Sequence, residues 1–191
     1  MKCHGEDIAG LVTKKIAYQY SGGVASKFLE GTLIQMADGK EKPIESISAG
    51  DWVLSFNPKT LSKDKVQVTK VFQKEEVMDK VVIVNDTLKI APTSIVYSQG
   101  RWQLAETLES KDHLLDSDLS ESSISSIKTV SIPAKHHVYN LELARSDNFF
   151  ADGFLVQNRV DEFKRTENSL QRTEAQYARR PTHHASRFTS F

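Results

Sequence analysis

A single cysteine, Cys3, leaves this 191-residue chain without any intrachain disulfide. Cys3 lies near the start of the chain, where a thiol is either reactive or idle, and the lack of bridges fits a reducing compartment. Excess charge of either sign is missing as well. Twenty-five Lys and Arg face 25 Asp and Glu, for a formal net charge of +0. No broad field therefore points to a nucleic-acid partner or an anionic membrane. Long apolar runs are absent: nothing approaches the roughly 20 residues of a membrane span. Glu6 and Asp7 follow Met1 and Lys2 too soon for a secretory leader. An intracellular protein with no signal peptide and no transmembrane segment is the expectation. No spacing of Cys and His suggests a metal, and nothing suggests a cofactor.

What is present is a 39% hydrophobic, 26% charged composition suited to one globular domain with appendages. The first 26 residues read as a leader or upstream flank, broken by Ser21-Gly22-Gly23. From Phe28 the texture changes to short β-type runs punctuated by turn residues. Thr32-Leu33-Ile34-Gln35-Met36 stops at Asp38-Gly39, a strong tight-turn signal. Asp51-Trp52-Val53-Leu54-Ser55-Phe56 follows and closes at Asn57-Pro58. Val66, Val68 and Phe72 mark a third run, and Val81-Val82-Ile83-Val84 ends at Asn85-Asp86. Residues 94–97 pair with 101–104 across Ser98-Gln99-Gly100. Val138-Tyr139-Asn140-Leu141-Glu142-Leu143 alternates as a strand does. Asn148-Phe149-Phe150-Ala151 and Phe154-Leu155-Val156 flank a second Asp-Gly turn. Many short strands at this spacing predict an all-β, compact, barrel-like domain whose edges pair with one another. Residues 116–126, rich in serine and acid, read as a surface loop, and no solenoid-type repeat is visible. Past Asn158, Phe163, Leu170 and Tyr177 recur every seven residues among Glu, Lys, Arg and Gln. That spacing predicts a short basic helix ended by Pro181, then a disordered end, so that 159–191 is a tail.

Three segments, in order, resemble the motifs of the Hint domain, the all-β family of inteins and hedgehog-type autoprocessing domains. The first is Phe28-Leu29-Glu30-Gly31-Thr32-Leu33-Ile34-Gln35-Met36-Ala37-Asp38-Gly39, continued by Lys42-Pro43-Ile44-Glu45-Ser46-Ile47 and Gly50-Asp51-Trp52-Val53-Leu54-Ser55-Phe56. The second is Ala91-Pro92-Thr93-Ser94-Ile95-Val96-Tyr97, with Gly100-Arg101-Trp102 and Ala105-Glu106-Thr107-Leu108. The third joins Val138-Tyr139-Asn140-Leu141-Glu142-Leu143 to Asn148-Phe149-Phe150-Ala151-Asp152-Gly153-Phe154-Leu155-Val156-Gln157-Asn158. The resemblance covers residues 27–158, about two-thirds of the chain, and implies a horseshoe of mostly antiparallel strands that brings the domain's two ends together.

The resemblance also implies a chemistry. A Cys or Ser at the first residue attacks the preceding carbonyl, assisted by a Thr and a His of the second motif. A terminal Asn, usually after a His, cyclises to release the C-terminal side. Residue by residue this chain departs from that pattern. Lys27 stands at the nucleophile position, and a protonated amine cannot form the ester. Ser26, one residue earlier, is the substitute candidate if the register slips. Ala91 and Ser94 stand where the Thr and His belong, and Gln157 replaces the penultimate His. Asn158 is retained but is followed by Arg159 instead of a Cys, Ser or Thr acceptor. His136 and His137 precede the last strands, and adjacent strand residues face opposite sides, so they read as surface groups.

The sequence therefore predicts an autoprocessing-type domain with N-terminal cleavage and splicing lost and slow cyclisation at Asn158 retained, its own flanking chain as substrate. Asn158 as a mere strand end or helix cap is the plainer reading of the same residue. The alternative is an inactive Hint-fold scaffold or protein-binding module that presents residues 116–126 and the basic tail to a protein partner. A toxin released downstream is disfavoured by the shortness of 159–191, too few residues to bury an effector's core.

Overall fold

The computed structural model describes residues 26–158. The strands, in chain order, are β1 (Phe28–Leu29), β2 (Leu33–Gln35), β3 (Glu41–Pro43), β4 (Trp52–Asn57), β5 (Ser62–Val84) and β6 (Leu88–Ile90). They continue with β7 (Ile95–Ser98), β8 (Arg101–Leu104), β9 (His113–Leu115), β10 (Glu121–Ser123), β11 (Ile127–Leu143), β12 (Asn148–Ala151) and β13 (Phe154–Gln157). Two 3₁₀ turns, Ile44–Ser46 and Ala105–Thr107, are the helical pieces among the described residues. The all-β expectation holds. The expected C-terminal helix, and both flanks, lie outside the described residues.

Two sheets carry the fold. One runs β11-β1-β6-β5-β4, and because β11 also pairs with β5, four of its strands close into a circuit. Closure removes free edges, which is how a small all-β domain avoids sticking to its neighbours. The other sheet runs β10-β9-β7-β13-β12-β2-β3, with β8 on β7. The two runs read at Val66 and at Val81 are parts of one 23-residue strand, β5, paired with β11 from Val68 to Val84. Residues 116–126 are not a free loop: β10 lies here, antiparallel to β9. Their polar composition has a local cause. The Asp116 carboxylate accepts the N–H groups of Asp118 and Ser120 and the Ser122 hydroxyl, and so builds the turn itself.

The chain from Phe28 through β4 is echoed from Ile90 through β9. Thr32 N–H bonds Leu29 C=O as Ser94 N–H bonds Ala91 C=O, and Ile44 N–H bonds Thr32 C=O as Ala105 N–H bonds Ser94 C=O. Asp51 accepts Ser48 N–H and Asp112 accepts Glu109 N–H, each carboxylate closing the turn after its 3₁₀ segment. Composition hides this repetition because few side chains agree between the halves; hydrogen bonds reveal it.

The core is continuous across both sheets. Phe28, Ile34, Ile44, Val53, Leu88, Ile90, Leu141 and Phe149 are fully buried within it, and the rings of Phe28 and Phe149 pack 5.2 Å apart. β12 and β13 are buried along their whole length, which their run of apolar residues foretells for strands covered on both faces. The turn between them is Asp152-Gly153, with φ of 47° and 83°. Left-handed backbone at both positions is the tight hairpin geometry that an Asp-Gly pair tolerates.

Candidate functional site

β1 is only two residues long, but it lies between β6 and β11, with Phe28 opposite both Ile90 and Tyr139. That placement sets Ser26 and Lys27 against the turn after β6 and the C-terminal part of β11. Ser26 is wholly buried. Its carbonyl accepts the Asn140 side-chain N–H at 2.9 Å, and its hydroxyl takes a long 3.5 Å hydrogen bond from Ile95 N–H. Lys27 N–H donates to the Ser94 hydroxyl at 3.0 Å, and that hydroxyl donates back to Lys27 C=O at 3.2 Å. The Ser26-Lys27 amide is thus held on both sides: carbonyl on Asn140, N–H on Ser94. A donor on a carbonyl oxygen stabilises the charge that would develop there on attack, the principle of an oxyanion hole.

The side chain at the nucleophile position is otherwise engaged. Lys27 Nζ lies 2.7 Å from Glu76, whose other oxygen meets Lys74 at 2.7 Å, all three side chains 16 to 20% exposed. A charge-assisted pair of this kind holds the Lys27 side chain on Glu76, where it is not presented to the Ser26 carbonyl as a nucleophile. Ala91, where the family's Thr is expected, packs its methyl with Phe72, Met78 and Val138.

The C-terminal end arrives at the same strand. Asn158 N–H bonds Asp147 C=O at 2.8 Å, and its side-chain amide donates to Leu141 C=O at 3.0 Å. Gln157 is 2% exposed; its Nε2 donates to the Asp147 carboxylate at 3.2 Å, while its Oε1 is buried without a partner among the described residues. Consecutive residues of β11, Asn140 and Leu141, therefore grip the two ends of the domain. The residues singled out in sequence, Ser26, Lys27, Ser94 and Asn158, converge on one neighbourhood.

His136 and His137 do not join them. They face Glu76 and Glu75 across β5, and His136 contacts Ile132 C=O at 3.2 Å. Both line a cavity of about 360 Å³ with Glu30, Thr32, Lys89 and Asp152. No group of three or more His, Cys, Asp or Glu able to hold a metal occurs among the described residues. In that cavity burial pushes the Asp152 carboxyl above its ordinary range, opposed by the N–H groups of Leu33 and Lys89. Elsewhere a hydrogen bond from Lys42, with one from Ser48 N–H, holds Asp51 below the usual carboxylate range.

Two residues escaped the sequence reading. Asn140 falls within a run that alternates as a strand does, yet it is fully buried. Asparagine is depleted in strands, so its presence inside one is the available signal. Asp147 sits in a loop and carries no pattern of its own; only contacts expose it.

The family model described as Pretoxin HINT domain matches residues 33–160. No curated protein matches the sequence. Among solved structures, a bacterial intein-like domain from Clostridium thermocellum is 25% identical at a TM-score of 0.63, covering 69% of this chain and 98% of that one. A DnaB intein from Synechocystis is 22% identical at a TM-score of 0.60, covering 70% and 99%. A DnaX mini intein from Spirulina platensis is 21% identical at a TM-score of 0.57, covering 69% and 99%. The two inteins share the fold.

Proposed function

This chain belongs to the pretoxin HINT domain family, and from that premise we propose that its self-processing chemistry is C-terminal cleavage at Asn158, with the N-terminal step and splicing lost. The observation that carries the reading is the convergence on β11: Asn140 holds the Ser26 carbonyl and Leu141 holds the Asn158 amide. Ends held together are what a domain that acts on its own junctions requires. At the N-terminal junction the carbonyl has a donor, but the residue that should attack it is a lysine paired with Glu76. At the C-terminal junction the nucleophile is present. Asn158 Nδ2 attacks its own main-chain carbonyl carbon, closing a succinimide, and the bond to the nitrogen of Arg159 breaks. The proton lost from Nδ2 is the one the departing amine gains. Gln157 cannot protonate that amine, so the step is slow. Arg159 offers no side chain to receive an acyl group, so the outcome is cleavage and not ligation.

Intact mass spectrometry of the chain extended at both ends, over days at neutral pH, tests this. Two fragments parting after Asn158, absent from Asn158→Ala, are expected. A single unchanged mass sinks the reading and leaves an inactive scaffold that binds a partner. The family description favours a second reading of the biology. Its word pretoxin suits a domain whose cleavage frees an effector attached on the C-terminal side of Asn158. Release of such cargo would give the same mass signature, with toxicity following the freed fragment.

A further inference from the structure

Asp147 makes contact with both of the last two described residues. Its main-chain oxygen accepts Asn158 N–H at 2.8 Å, and its Oδ2 accepts Gln157 Nε2 at 3.2 Å. Its Oδ1 takes a longer contact from Asn148 Nδ2 at 3.4 Å. The carboxylate can only accept, so it fixes which end of the Gln157 amide faces it: the nitrogen. Oε1 is turned elsewhere, buried, and unpartnered among the described residues. An amide oxygen left this way is unfavourable in a folded chain, and such groups mark places where something is still to be bound or done.

We propose that Asp147 is the positioning residue of the C-terminal junction, fixing Asn158 by its backbone and orienting Gln157 by its carboxylate so that Oε1 is held as an acceptor for a nitrogen-borne proton there. This rests on the cleavage at Asn158 proposed above. An acceptor favours the attacking side of the reaction: it takes a hydrogen bond from Asn158 Nδ2 as that group leaves Leu141 C=O. It does nothing for the leaving nitrogen, in keeping with a slow reaction. Asp147 touches no reacting atom itself; it acts through Gln157 and through the backbone of Asn158. It lines an open cavity of about 570 Å³ with Ser55, Asn57, Lys59, Asp64 and Ser146, so solvent reaches its vicinity.

The test uses the full chain extended past residue 191, as wild type, Asp147→Asn and Asp147→Ala, with two readouts. The first is cleavage rate against pH. Asp147→Ala is expected to cleave at least about tenfold more slowly, the scale of a modest misplacement of reacting groups. The wild-type rate should fall in acid, and Asp147→Asn should lack that fall. The second is the Gln157 side-chain amide resonance, which should shift as Asp147 titrates and stay flat in Asp147→Asn. An indifferent Gln157 resonance, or an Asp147→Asn rate and pH profile identical to wild type, overturns the proposal. If the resonance follows Asp147 while no variant ever cleaves, the Asn158 reading fails and the Asp147 pairing with Gln157 stands. A purely structural role would lower the unfolding midpoint without moving the pH profile, which also counts against it.

Discussion

Asn148→Ala should cost this domain about 3 kcal/mol of stability, on the following grounds. Asn148 is 3% exposed and ties β12 to the far strand β4. Its Oδ1 accepts Phe56 N–H at 2.8 Å and the Ser55 hydroxyl at 2.9 Å, and its Nδ2 donates to Phe56 C=O at 3.1 Å. Phe56 sits on β4, which pairs with β5, and these two backbone groups are satisfied by Asn148 alone among the described contacts. Three hydrogen bonds at about 1 kcal/mol net each give the figure, and orphaned buried groups would raise it further. Two features restrain it: Ser55 keeps its 2.6 Å contact with Ser146, and the cavity beside Phe56 admits water. Urea unfolding of Asn148→Ala, followed by fluorescence of the buried Trp102, should therefore show a lower midpoint at an unchanged slope. The melting temperature should drop by roughly 10 °C for a domain of this size. A loss under about 0.5 kcal/mol would refute the reasoning, since it would mean that solvent replaces the side chain at no cost. Asn148→Asp separates the terms. It keeps the acceptors but sets a carboxylate against Phe56 C=O, so its loss should be at least as large at neutral pH and should shrink in acid.

Asp152 gives a pH prediction of known sign. Its carboxyl is raised above the unfolded value, so the stability it contributes is full below about pH 3.9 and declines as pH rises through the folded value. Asp152→Asn keeps an acceptor for Leu33 N–H and tolerates the left-handed backbone. It should be more stable than wild type at neutral pH, with the gain vanishing in acid; equal midpoints at pH 7 would contradict the burial argument. At the N-terminal junction, Lys27→Cys supplies the missing nucleophile to an amide already held by Asn140 and Ser94. Hydroxylamine should then release a fragment ending at Ser26, faster when Ser94→His is added, and no release from either variant would show that holding the amide is not enough.

How far the sequence reveals this molecule differs from element to element. Asp38-Gly39 and Asp152-Gly153 announce their turns because few other residues accept that backbone, and the apolar runs beside them announce covered strands. β5 is harder to see whole. Over Thr69 to Lys80 it pairs with β11 alone, many of its side chains are solvated, and charged residues dilute the alternation that marks a half-buried strand. β10 is hidden for the opposite reason: Asp116 collects its neighbours' hydrogen bonds, so a built turn has the composition of a loop. Of the site, Ser26, Lys27, Ser94 and Asn158 were legible as motif positions. Asn140 and Asp147 are not, because each matters through contacts that no local pattern encodes: Asn140 reaches Ser26 across 114 positions, and Asp147 meets Gln157 and Asn158 from the far side of a hairpin.

The grip of two neighbouring residues on both ends has a consequence for whatever polypeptide carries this domain. Adjacent Cα atoms along a chain are only about 3.8 Å apart, so Ser26 and Asn158, the first and last described residues, are anchored at neighbouring points of one strand. A host protein would then carry it as a pendant, the way a bead hangs from a thread by a single knot, and its own two flanks would need little separation to accommodate the insertion. Loops with closely spaced ends are natural berths for such a module. Severing the strand that forms the knot, not the junctions themselves, would be the change that drives those flanks apart.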